Sequence, residues 1–210
     1  MTKEWLDVFT ENMEPIGVKP RADVHRDGDW HQTFQCWILT RDEGRDDIYF
    51  QERHASKADF PGLLDITAAG HLGAGETREA GVREIEEELG IRLSPDDLVY
   101  AGCVPGRYRR DGFIDNEFRH LHFYVCRGPA PRFRFQDGEA EAVVRIAFED
   151  AKQLLRGEAE SVSGVRCRPQ AGEARLVTVR RTDLVPHETA YFETVIREAE
   201  RLFAALATDR

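Results

Sequence analysis

Gly70–Ile91 reads GHLGAGETREAGVREIEEELGI, and the rest of the chain is best read outward from it. Val82, Ile85 and Leu89 recur at helical spacing, which predicts a helix over 76–89 with one apolar face. Gly90 follows where a helix end favours a residue tolerant of left-handed geometry, and Ser94-Pro95 closes the unit. Glu84, Glu87 and Glu88 stand at i, i+3 and i+4, so they share the opposite face. Like charges at these spacings cost a helix about 0.2–0.5 kcal/mol per pair. A divalent cation turns that repulsion into coordination, because hard ions such as Mg²⁺ take oxygen ligands and leave positions for phosphate. Three glutamates alone would read as a solvated acidic face. It is the surrounding pattern that argues for a metal.

Upstream, 5–18 reads as a hairpin about the turn-like Glu11-Asn12-Met13-Glu14. A polar stretch with His25 and Gly28 follows, with no element assigned. Strands are expected over 33–39 and 48–53, joined by a charged turn over 41–47, and Pro61-Gly62 turns the chain before 63–69. Downstream, strands are expected over 98–104, 118–126 and 143–146, then a short helix over 149–155. The segment 157–175 is a loop or weak hairpin, and 176–179 a strand. A second helix over 188–206 carries a wide stripe of Tyr191, Phe192, Val195, Ile196, Ala199, Leu202, Phe203 and Leu206. Its other face is both acidic and basic, which points to core or homodimer packing and away from a membrane anchor. The expected fold class is α/β (α+β): a mixed sheet sandwiched between helices, with a C-terminal helix. One domain is expected over 1–210, with its core at 30–156, an N-terminal hairpin at 1–29 and a C-terminal extension at 157–210.

The composition sets limits on this reading. A net charge of -10 disfavours a nucleic-acid partner, which calls for a basic face. Cys36, Cys103, Cys126 and Cys167 form no CxxC pair, so neither a zinc ribbon nor a disulfide framework is expected. The opening MTKEWLDVFTENMEP shows no signal-peptide pattern, and no apolar run approaches the roughly 20 residues that span a bilayer. A cytoplasmic protein with no membrane partner is expected.

The stretch quoted above resembles the box of the Nudix family. Gly70, Glu76, Arg83, Glu84, Ile85, Glu87, Glu88, Gly90 and Ile91 match that box by type. The segment between Glu76 and the Arg-Glu pair, 77–82, is one residue shorter than in the usual box, which bears on Glu76 more than on the later glutamates. The resemblance implies the Nudix fold and a Mg²⁺- or Mn²⁺-dependent hydrolase of a small-molecule diphosphate substrate. It implies metal ligation by Glu84, Glu87, Glu88 and the Gly70 carbonyl, with Arg83 orienting the glutamates. Glu87, Glu88 and a glutamate from another loop all remain open as the general base.

Outside the box, WLDVFTEN, VHRDGDWHQTFQCWI, QERHASKADFPGLLD and TAAGH resemble the branch related to isopentenyl-diphosphate isomerase. That likeness implies a second metal site at His25, His31, His71 and Glu117, with Asp115 in place of a glutamate. It also implies a diphosphate grip by Arg53 and Lys57, which would share a phosphate if their turn were helical. The bland alternative is that the histidines only cap turns. Ala69 stands where the isomerase has its cysteine, and Cys36 lies on another strand, so a hydrolase on an isomerase-like scaffold is expected. The isomerase itself and a non-catalytic nucleotide-sensing module are the alternatives. Arg107-Tyr108-Arg109-Arg110-Asp111 reads as a solvated hairpin tip in preference to a nucleotide grip. Of His120 and His122, one is expected toward the site and one toward solvent, with no role for either.

Overall fold

A computed structural model describes residues 4–136 and 138–208. The chain opens with the hairpin β1 (Trp5–Phe9) and β2 (Pro15–Pro20), then α1 (Arg21–Asp27), β3 (Trp30–Asp42) and β4 (Arg45–Arg53). Two short strands follow, β5 (Leu64–Asp65) and β6 (Ala68–His71), and then a 3-10 turn (Arg78–Val82) leading into α2 (Arg83–Leu89). The long pair β7 (Leu98–Arg110) and β8 (Phe113–Arg127) precedes β9 (Ala140–Ala147) and α3 (Phe148–Arg156). The last elements are β10 (Ser161–Arg168), β11 (Glu173–Arg180) and α4 (Thr189–Thr208).

β3 organises the sheet. It pairs antiparallel with β4 and β6 and parallel with β8, so the sheet is mixed. Its side chains alternate between two buried faces, as the period of a strand requires. Trp37 and Leu39 join the core built by α3 and α4, and Cys36 and Ile38 join the core under Ile85 and Leu89 of α2. A strand buried on both sides reads as a near-continuous apolar run, which explains why TFQCWIL was legible. The apolar stripe of α4 is spent inside this chain: Tyr191, Phe192, Val195, Ile196, Ala199 and Phe203 are all buried, and the Trp37 indole donates to the Tyr191 hydroxyl at 3.0 Å. The stripe therefore gives no argument for a homodimer.

Several expectations need correction. The helix over 76–89 is two pieces, a 3-10 turn and a seven-residue α2. The shorter box explains this: a 3-10 turn rises about 2.0 Å per residue against about 1.5 Å for an α-helix. Five such residues span about what six or seven α-helical ones would, so the missing residue is absorbed. The polar stretch around His25 is α1, closed by Gly28 at φ 75°. Only Val24 and His25 of that helix are buried, which leaves no periodic stripe to read. Of the two readings of 157–175, the hairpin is the one that forms, β10 against β11 in register from Ser161↔Arg180 to Arg168↔Glu173. The charged turn over 41–47 is only Glu43-Gly44, with strand on both sides.

Candidate active site

The carboxylates of α2 sit under β6. Glu88 is buried and accepts from the Gln51 amide at 2.9 Å and from the Ala69 backbone N–H at 3.0 Å. Burial pushes its pKa up to about 8, with the Ala69 N–H opposing. Glu84 lies against Gly70 so closely that a Cβ there would meet its carboxyl carbon at 2.2 Å. Burial pushes Glu84 up to about 7, against the pull of the Arg83 charge. Glu87 is half-exposed on the same side.

Arg83 gathers this cluster. Its Nε and Nη2 donate to the two Glu76 oxygens at 3.0 and 2.9 Å, and Nη1 donates to Glu84 at 2.6 Å and Glu87 at 3.0 Å. Nη2 also donates to the His71 carbonyl at 3.1 Å. Glu76 is thus engaged despite the shortened box, and it accepts from the Gly73 N–H at 2.7 Å as well.

A second cluster forms where α1, β3, β6 and β8 meet. Ligand atoms of His25, His31 and His71 lie within 4.8 Å of one another, as do those of His31, Asp115 and Glu117. The β3–β8 register places His31 opposite Glu117, and the β3–β6 register places Thr33 opposite His71. Directly opposed residues share a face, so the ladder alone brings these groups together. Burial pushes His31 down to about 3, which keeps its ring neutral. His31 Nε2 and Asp115 Oδ1 are buried and meet no strict hydrogen-bond geometry, but they face each other at 3.4 Å, and His25 Nε2 lies 3.3 Å from the same oxygen.

Both clusters open on one cavity of about 1060 Å³. Arg53 and Lys57 also line it, but their turn is not helical, and each already has a partner. Arg53 donates to Asp65 at 2.9 Å and to the Asp59 carbonyl at 3.0 Å, and Lys57 pairs with Glu139. The solvated-tip reading of 107–111 holds only in part. The tip is Asp111-Gly112, whereas Arg107 and Tyr108 are strand residues on the cavity wall. His120 and His122, two apart on β8, share one face and are both buried. They pack around Tyr100, at ring distances of 6.1 and 5.1 Å, so neither turns to solvent as expected.

The sequence pattern does not single out four groups at this cavity. His187 Nε2 meets Asp65 at 2.8 Å, and Arg119 pairs with Glu117 at 3.0 Å and Glu188 at 2.7 Å. The one local signal is a Pro-His-Glu run directly before an apolar helix. Their convergence depends on pairings far apart in the chain.

The NUDIX domain model matches residues 29–166. An uncharacterized Nudix hydrolase of Clostridium acetobutylicum is 33% identical over 200 residues, covering 94% of this chain and 97% of the relative. An isopentenyl-diphosphate Delta-isomerase of Clavibacter michiganensis is 31% identical over 157 residues, covering 72% of this chain and 75% of the relative. A crystal structure from Deinococcus radiodurans superposes with a TM-score of 0.50 at 22% identity, covering 81% of this chain and 91% of the other. With the mixed sheet, the acidic helix under β6 and a family match over most of its length, the chain belongs to the Nudix hydrolase family, enzymes that act on pyrophosphate bonds.

Proposed function

We propose that this protein hydrolyses a diphosphate bond of a nucleoside diphosphate derivative or nucleotide, using Mg²⁺ or Mn²⁺ held by Glu84, Glu87, Glu88 and Gly70. The observation that carries this is the pair of buried carboxylates, Glu84 and Glu88, facing the cavity beside Gly70. Burying carboxylates is costly even where Arg83, Gln51 and the Ala69 N–H engage them, and their raised pKa values express that cost. An all-oxygen donor set of this kind fits a hard divalent cation. When bound, the cation supplies an acidified water and neutralises charge that develops on the diphosphate.

The chain's own residues do the rest. Arg83 fixes three glutamates in one fan, and Gln51 and the Ala69 N–H hold Glu88 in place. Arg53 and Lys57 offer cations along the cavity for the non-reacting phosphate. A second divalent ion fits His25, His31, His71, Asp115 and Glu117: burial holds the His31 ring neutral, and Asp115 Oδ1 faces the Nε2 atoms of His31 and His25 at 3.4 and 3.3 Å without a well-formed hydrogen bond, a set of donors that a cation would draw together.

The histidine cluster also favours a second reading, an isomerase-like enzyme. Ala69 offers no thiol, and Cys36 is fully buried in the α2-side core with its pKa pushed up by burial, so no thiol stands ready at the cavity. Incubation with a panel of nucleoside diphosphate derivatives and with isopentenyl diphosphate, read by mass spectrometry, separates the two. Metal-dependent phosphate-ester products support the hydrolase. Isomerised isopentenyl diphosphate with an otherwise silent panel would reverse the assignment.

A further inference from the structure

Beyond the family-matched region, residues 185–188 cross the cavity just before α4. His187 is largely buried there, and its ring packs against Tyr191 at 5.0 Å and Phe192 at 5.7 Å. Its Nε2 lies 2.8 Å from Asp65 Oδ1. Asp65 is ionised: burial opposes its charge, but the hydrogen bond and charge of His187, and then the Arg53 charge, hold its pKa down at about 2. An ionised carboxylate takes an N–H, so Nε2 carries a proton and Nδ1 is the nitrogen that offers a lone pair whenever the ring holds only one proton. No hydrogen bond among the described residues engages Nδ1.

The position of this pair relative to the carboxylate site follows from register. Asp65 stands opposite Gln51 in the β4–β5 ladder, and Gln51 is the residue that holds Glu88. Side chains directly opposite across a ladder share a face about 5 Å apart. The Asp65–His187 pair therefore flanks the carboxylate site by one ladder position, on the same cavity. The metal-ligating carboxylates are already committed: Glu88 to Gln51 and Ala69, and Glu84 and Glu87 to Arg83. An acceptor lone pair fixed by a carboxylate serves little purpose toward phosphate oxygens, which carry no proton. It suits a water about to attack one.

We propose that His187 is the general base of this active site and that Asp65 is its positioning residue. The proposal rests on the hydrolase reading above. As the water oxygen bonds to phosphorus, its proton passes to Nδ1. The bridging P–O bond breaks, and its electron pair leaves with the departing phosphate. The imidazolium then returns the proton to that phosphate, which restores the neutral ring. The charged and titratable groups around His187 are Asp65 and, behind it, Arg53 on the strand side, with Tyr191 on α4 and the Glu188–Arg119 pair alongside.

The test is the pH dependence of kcat/KM for wild type, His187→Gln and Asp65→Asn, on a substrate cleaved by wild type. The His187 ¹⁵N shifts are titrated in parallel, and circular dichroism checks each fold. The expected result is a fall of about 100-fold or more in His187→Gln, with the acidic limb of the wild-type profile abolished. That limb should coincide with the His187 titration, and Asp65→Asn should displace both together. A folded His187→Gln that keeps the acidic limb and wild-type kcat/KM overturns the base role and leaves the hydrolase standing. A wild type that cleaves no diphosphate overturns both.

Discussion

Replacing Gly70 with alanine tests how tightly the backbone of β6 frames the carboxylate site. The new Cβ would meet the Glu84 carboxyl carbon at 2.2 Å and both its oxygens at 2.4 Å, whereas ordinary contact begins at 3.4 Å. The difference between 3.4 and 2.2 Å requires the carboxyl group to retreat by 1.2 Å. What gives way is the end of a side chain and not backbone, so the fold should survive with a stability change on the order of 1 kcal/mol. Misplacing a reacting group by about 1 Å costs roughly 100-fold in rate, and the same is expected here in kcat/KM. The control is Gly73→Ala, whose Cβ finds its nearest neighbour, Glu76, at an ordinary 3.4 Å. Its loss should stay under about tenfold. Steady-state rates at saturating Mg²⁺ beside thermal melts decide the matter. A Gly70→Ala enzyme within about threefold of wild type, or one no worse than Gly73→Ala, would refute the argument that Glu84 works from this position.

Further outcomes follow from the same geometry. Cys36→Ala should leave turnover nearly unchanged while lowering the melting temperature, because the thiol fills the core under α2 and faces no substrate; loss of activity with normal circular dichroism would contradict this. Gly106→Ala should destabilise the fold by about 1–3 kcal/mol in denaturant titrations, since its Cβ would strike the buried Arg119 guanidinium, while an unchanged midpoint would show that β8 yields more easily. Asp65, whose pKa is lowered from 3.8 to about 2, contributes stability that is fully present above pH 4 and lost as pH falls toward 2. An Asp65→Asn variant should therefore melt below wild type at neutral pH, with the gap narrowing between pH 4 and 2; a gap independent of pH would show that charge is not the cause.

The parts of this molecule written in short-range pattern were legible, and those made by long-range pairing were not. Trp37 and Leu39 against Cys36 and Ile38 announce a strand buried on both faces, because strand period alone sorts them. The spacing of Glu84, Glu87 and Glu88 puts them on one side of a helix by the helical period alone. By contrast, α1 buries only two residues, one of them the polar His25, so no periodic signal marks it. The hairpin of β10 and β11 was legible only as one of two alternatives, a loop or a weak hairpin, because exposed residues such as Leu176 blur it and an edge strand need not alternate cleanly. His187 reaches Asp65 across 122 residues, and nothing local to Pro186-His187-Glu188 says where α4 will dock. The roles of Arg53 and Lys57 were implied by the resemblance, and the helical turn that would let them share one phosphate does not form, yet both reach the same cavity by way of β4 and the turn after it.

The central claim is tested most directly by diphosphate cleavage in wild type and Glu88→Gln, each with Mg²⁺ or Mn²⁺ and again with EDTA, with both proteins confirmed as folded. Metal-dependent cleavage by wild type that EDTA abolishes, and that Glu88→Gln reduces by orders of magnitude, is the predicted result. Equal cleavage by the two proteins, or cleavage that persists in EDTA, would contradict the metal site built on α2.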